Sequence, residues 1–233
     1  MRFIFLFCLF LCNLTYAVCY PVYLGDEKVT IEWMQHGSGK TFVHVHQNET
    51  TALLAAKKVI HQQGGNILTL HHSGTRNIHF HLKGKDYEFD PNRIFSEKGI
   101  QKSLKQYGAY SREAHQTVKQ LADKILSLLP PGKIIAVHNN RGYSLKNYLP
   151  GHNEAKNARF INFYDKIHYR NFYVVTRRAD FERLKKLHFN EVLQSAYPND
   201  DGSLSVYLAS RSYINVEAGF NQLKEQIKML QCA

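Results

Sequence analysis

The sequence predicts an α/β domain with a mixed, largely parallel central sheet flanked by helices. Two observations carry this. Short β-rich apolar runs alternate with helix-period segments along the chain. In addition, His46, His138 and Glu217 each directly follow such a run, and open α/β sheets place their sites at the carboxyl ends of strands. The chain has 233 residues, 44% of them hydrophobic, with 14 Tyr and 14 Phe, enough for one sizeable core. No internal repeat or linker interrupts it, so residues 18–233 are expected to form a single domain.

The elements follow in order. Residues 41–45 read as a strand leading to His46. Thr50 or Thr51 can cap a helix carrying Ala52, Leu53, Ala56, Val59 and Ile60, which Gly64-Gly65 stops. Residues 66–70 give the next strand. Residues 78–82 and 87–89 form a hairpin about Gly84. Residues 111–129 have helical periodicity up to Pro130-Pro131. Residues 134–137 are a buried-strand run ending at His138. The polar, Tyr-rich stretch 139–170 reads as a long loop. Strands are expected at 171–176, 192–194, 204–208 and 213–216, with helices at 179–187 and 219–230.

Residues 1–17 read as a secretory leader. Arg2 is followed by a ten-residue apolar run, Phe3 to Cys12, and Thr15-Tyr16-Ala17 offers small residues for cleavage. The run is too short to span a bilayer, and no later segment approaches 18 apolar residues, so no transmembrane segment is expected. This predicts a secreted or periplasmic protein. Cys19 and Cys232 would remain, one near each end, either bridged or as two free thiols. The formal charge is +11, with Arg177-Arg178 and Lys185-Lys186 in one basic cluster. Outside the cytoplasm, an anionic cell-wall polymer or lipid head groups are better partners for such a surface than nucleic acid.

Three motifs carry chemistry. His46-Gln47-Asn48-Glu49 and the distant His138 provide two imidazoles and a carboxylate, a donor set suited to catalytic Zn²⁺ with one open position. Asp90-Pro91-Asn92-Arg93 adds a planar, permanently charged fork able to hold a carboxylate. Other signals fail. Gly39-Lys40-Thr41 lacks the glycine of a phosphate-binding loop five positions earlier and precedes a strand. His188-Phe189-Asn190-Glu191 repeats the His-x-x-Glu spelling without downstream partners and reads as structural. His71-His72 and His79/His81 lack a third partner. A glycan on Asn48-Glu49-Thr50 would obstruct a site at Glu49.

The order His-x-x-Glu, Arg, Asn-Arg, His, Glu resembles the zinc carboxypeptidase superfamily, which includes metallocarboxypeptidases and the aspartoacylase–succinylglutamate desuccinylase branch. The resemblance covers residues 41–220 and rests on motifs and their order. It implies Zn²⁺ on His46, Glu49 and His138, a substrate carboxylate held by Asn92 and Arg93, a carbonyl polarised by Arg76 (with Arg141 as a rival), and Glu217 as general base. The mobile Tyr of the superfamily has two candidates, Tyr197 and Tyr207. Asn139-Asn140 stand where many peptidases have Ser-Tyr, and the Glu49-to-Asn92 spacing is closer to the deacylase branch.

The resulting expectation is a zinc metallohydrolase that cleaves an amide bond beside a free carboxylate, carboxypeptidase-like, with cell-wall peptides as a substrate class. The alternatives are an N-acyl amino-acid deacylase of the same superfamily and a catalytically silent peptide-binding module.

Overall fold

A computed structural model describes residues 15–233. Residues 1–14, most of the expected leader, lie outside the described residues. Thr15, Tyr16 and Ala17 open strand β1 (Thr15–Leu24), which pairs antiparallel with β2 (Glu27–His36). The turn between them is Gly25-Asp26, and Gly25 adopts φ +62°. A Cβ there would lie 2.0 Å from the His81 carbonyl oxygen, so only glycine fits. Neither strand was expected, although a two-residue Gly-X turn between apolar runs is a hairpin signal.

The chain then builds β3 (Lys40–His44), α1 (Thr50–Gln63) and β4 (Gly65–His71). The hairpin β5 (Ile78–Leu82) and β6 (Lys85–Phe89) forms as expected, turning through Lys83 and Gly84, both at positive φ. Helices α2 (Glu97–Tyr107) and α3 (Arg112–Leu128) follow, each with a serine N-cap, Ser96 and Ser111, accepting a backbone N–H. Next come β7 (Ile134–Asn140), β8 (Ala158–Asn162), β9 (Phe172–Val175), α4 (Arg178–Lys186), β10 (Glu191–Gln194), α5 (Leu204–Tyr207), β11 (Tyr213–Gly219) and α6 (Leu223–Cys232). Among the described residues, no helix is long and apolar enough to cross a membrane.

The nine-stranded sheet has the order β1-β2-β4-β3-β7-β11-β9-β10-β8. Its centre, β4-β3-β7-β11, is parallel. The flanks add antiparallel contacts at β1/β2, β2/β4, β11/β9 and β10/β8. The sheet is therefore mixed, with the parallel part confined to the middle and to the β9/β10 pair. Strand alternation sorts its two faces. Ile135, Val137, Ile214 and Val216 pack under α1, α4 and α6. Ile134, Ala136 and Tyr213 join the core of the other face, with Leu104 of α2 and Val118 and Leu121 of α3. Both faces of β7 and β11 are covered, which is why all seven residues of each are buried.

Three expectations are corrected. Residues 204–208 form the short helix α5. The Leu-Ser-Val-Tyr-Leu alternation suggests a strand, but the Ser203 carbonyl accepts from Val206 and Tyr207 N–H, and the Asn92 side chain takes the Leu204 N–H. The stretch 139–170 is no single loop, since it holds the end of β7, edge strand β8 and 3₁₀ turns at Leu145–Tyr148 and Ala155–Asn157. Neither Thr50 nor Thr51 caps α1. Glu49 stands at its N-cap, and the Asn139 side chain of β7 accepts the Ala52 N–H at 2.8 Å. The thiols of Cys19 and Cys232 are both free.

Glu191 of the second His-x-x-Glu is fully buried in β10, and neither carboxyl oxygen has a hydrogen-bond partner. Burial pushes its pKa up from 4.5 to about 8. The unfolded chain thus loses this proton as pH rises past 4.5, while the folded chain keeps it until about 8. Stability is full below the lower value and falls across that window, by up to about 1.4 kcal/mol per pH unit. Urea unfolding of Glu191→Gln at pH 5, 6.5 and 8 should show a flatter profile than the parent; identical slopes would refute the assignment.

Candidate functional site

Local geometry brings the first motif together. The chain leaves β3 at His44 and turns at once, with the Glu49 N–H donating to the His46 carbonyl at 3.0 Å. This tight turn sets both side chains facing β7. There, His138 is paired in register with Glu217 of β11, so the two stand side by side on adjacent parallel strands about 4.8 Å apart. The polar residues His138, Asn215 and Glu217 share the face on which α2 and α3 lie.

The expected ligands converge. The donor atoms of His46, Glu49 and His138 all lie within 4.8 Å of one another, and all three residues are buried. His46 Nδ1 is 3.0 Å from Glu49 Oε1, His138 Nδ1 is 3.0 Å from Glu49 Oε2, and the two Nδ1 atoms are 3.2 Å apart. Asp90 Oδ1 lies 2.7 Å from His46 Nε2 and so takes that nitrogen's proton in a hydrogen bond. The Nδ1 lone pair of a neutral His46 then faces a carboxylate oxygen and a second imidazole nitrogen. Such a cluster requires a cation at its centre, either a proton or a metal ion. Burial disfavours charge on His46, but the carboxylates of Glu49 and Asp90 outweigh it and hold its pKa up to about 9. Burial likewise opposes ionisation of Glu49, yet His46 and His138 keep its carboxyl well below the usual range. Two imidazoles and one carboxylate, buried and oriented from behind by Asp90, fit a divalent metal of the zinc type.

Glu217 is buried beside this cluster without joining it. Its Oε2 accepts from Asn140 Nδ2 at 3.0 Å and its Oε1 from Asn215 Nδ2 at 3.2 Å. Burial raises its pKa, reinforced by the Glu49 charge and offset by His138 and the two amides. A carboxyl raised in this way and facing a cavity is a better proton acceptor than an exposed one and is suited to taking and returning a proton.

All seven expected site residues line one cavity of about 740 Å³. Arg76 is half exposed, and its guanidinium is engaged by Glu49 Oε1 and, at 3.4 Å, by Asp90 Oδ2. It therefore braces Glu49 and Asp90 at the cavity wall. Its rival Arg141 also lines the cavity, with its guanidinium 4.9 Å from the Phe220 ring centre. Asn92 Oδ1 accepts the Leu204 N–H at 3.2 Å, so its side chain fastens α5 to the turn that carries Arg93. Arg93 faces the cavity with Asp201 Oδ2 3.4 Å from Nη1. Asp201 itself is fixed, since its Oδ1 accepts from the Ser203 N–H and hydroxyl.

The candidate tyrosines do not reach this site. Tyr197 is 93% exposed, and Tyr207 lines a different cavity. Tyr143 and Tyr148, hydroxyl to hydroxyl, line it instead, and burial raises both pKa values. Sequence reasoning also gave no role to Asp90, although it adjoins the Asn-Arg motif. It missed Asn139 as well, whose N–H donates to Glu49 Oε2 at 3.0 Å, and Gln226 of α6, whose amide donates to the His138 carbonyl. His188, the first residue of the repeated motif, is exposed, and Lys40 of the false phosphate loop donates to the Leu230 and Gln231 carbonyls.

Several solved chains are similar to this one, two of them as follows. One is an aspartoacylase family protein from Mesorhizobium loti, 12% identical, with 94% of this chain and 65% of that chain covered and a TM-score of 0.44. The other is a succinylglutamate desuccinylase/aspartoacylase from Rhodobacter sphaeroides, 11% identical, with 94% and 63% covered and a TM-score of 0.44. The chain thus spans somewhat less than two thirds of the length of either. No family model and no curated protein matches it.

Proposed function

We propose that the protein is a metal-dependent hydrolase of an amide bond next to a free carboxylate. The observation that carries this reading is the convergence of His46, Glu49 and His138 beside the buried carboxyl of Glu217, in one cavity with Arg93. His46, Glu49 and His138 would hold the metal, which would supply Lewis acidity toward a carbonyl and an attacking water. Arg93 would bind the substrate carboxylate through its guanidinium, exchanging Asp201 for it, and so fix the scissile amide over Glu217. Glu217 Oε would accept the proton of the attacking water and return it to the leaving nitrogen. Arg76 would keep the negative charge of Glu49 and Asp90 balanced while substrate is bound.

The leaving half can be the last residue of a peptide or a single acylated amino acid. The apolar run before residue 18 and the basic charge favour export and a cell-wall peptide as the source of such a group. The test uses peptides and N-acyl amino acids with free or amidated carboxyl ends. Amidation is expected to lower kcat/KM by about 100-fold, the worth of a charge-assisted contact, and Arg93→Gln should erase the difference. Equal cleavage of both forms by the parent would remove the carboxylate anchor. Cleavage of acylated amino acids alone would identify a deacylase.

A further inference from the structure

The row of side chains Tyr213, Asn215 and Glu217 runs down one face of β11, about 13 Å at the usual strand rise, and floors the cavity described above. Gln194 and Val206 line that cavity and also a second one of about 480 Å³. The second cavity is lined by Arg159, Arg177 and Arg178 and by no acidic residue. Two of these guanidiniums share one aromatic plate, with Arg178 4.8 Å and Arg159 5.6 Å from the Phe160 ring centre. Arg177 is held by the Ser210 carbonyl. Only Arg178 has a carboxylate partner among the described residues, Glu182 at 3.0 Å, and that lies outside the lining. Arg178 is thus balanced by Glu182, while Arg159 and Arg177 bring two permanent positive charges to the same concavity, one held against an aromatic ring and one by a carbonyl, with no carboxylate partner among the described residues. Like charges held together disfavour one another, and an oxyanion entering between planar guanidinium forks relieves this with directed hydrogen bonds.

We propose that this cavity is an anion-binding subsite for the phosphate or carboxylate group of a ligand. Binding there stands without the hydrolase reading, whereas its use by substrate rests on that reading, the anion then being the far end of the leaving half.

The probe is inorganic phosphate, titrated calorimetrically into the full chain at constant ionic strength set with chloride. Saturable millimolar binding is expected, weakened at least tenfold in Arg159→Gln/Arg177→Gln and unchanged in Arg93→Gln. Arg159→Gln alone, at an exposed position without a backbone contact, should weaken it about threefold and serves if the double variant fails to fold. Absence of binding, equal binding by the arginine variants, or its loss in Arg93→Gln would overturn the subsite. The source of the anion is read from inhibition. Phosphate that raises KM for N-acyl amino acids bearing a distal carboxylate, but not for N-acylglycine, places the group on the substrate. An equal effect on both overturns that use and leaves a free anion as the ligand.

Discussion

Glu217→Gln should reduce kcat by about 100- to 10,000-fold, the usual worth of a positioned general base, while metal content and thermal midpoint stay near those of the parent. Gln keeps the volume of Glu and still offers an oxygen to Asn140 or Asn215, so the loss isolates proton transfer from packing. Glu217 lies outside the ligand cluster, so metal retention is part of the expectation. Turnover by the Gln variant within threefold of the parent would reject the base assignment. Loss of metal in that variant would instead show that Glu217 is a ligand.

The second large effect is at Glu49. Its carboxylate faces His46 and His138, accepts the Asn139 N–H and engages Arg76, all at a buried position. Glu49→Ala leaves two imidazoles and a guanidinium without their shared counter-charge. Breaking a buried pair from one side costs about 3–5 kcal/mol. In a chain of this size that corresponds to roughly 10 °C in Tm. On the proposed metal centre the same change removes one of three ligands, so bound metal should fall to background by elemental analysis. Adding Zn²⁺ to chelator-treated protein should raise Tm for the parent and leave Glu49→Ala unmoved. A parent protein whose Tm ignores both chelator and metal would refute the metal centre.

The expectations that held were those in which one local pattern had one outcome. The Ile134–Val137 run could only be buried on both faces, and it became the central β7. The Gly64-Gly65 stop and the Gly84 turn left no alternative backbone. The failures were places where a distant partner settled the conformation. Residues 204–208 alternate like a strand, yet Asn92 holds the Leu204 N–H and the segment coils. Thr50 and Thr51 are good capping residues, but Asn139, far along the chain, supplies the acceptor. The Gly25-Asp26 hairpin was legible and was missed, because it lay next to a stretch read as a leader.

By itself, the sequence determined the α/β alternation and the residues that form the cluster, because period, turn residues and donor chemistry are properties of short stretches of chain. Only the tertiary structure decided what surrounds them: Asp90 behind His46, Arg76 on Glu49, Asp201 on Arg93, and the arginines Arg159, Arg177 and Arg178 gathered beyond Gln194. Those relations depend on which strands become neighbours and in what register. That is fixed by burial over the whole molecule, and no local spelling records it.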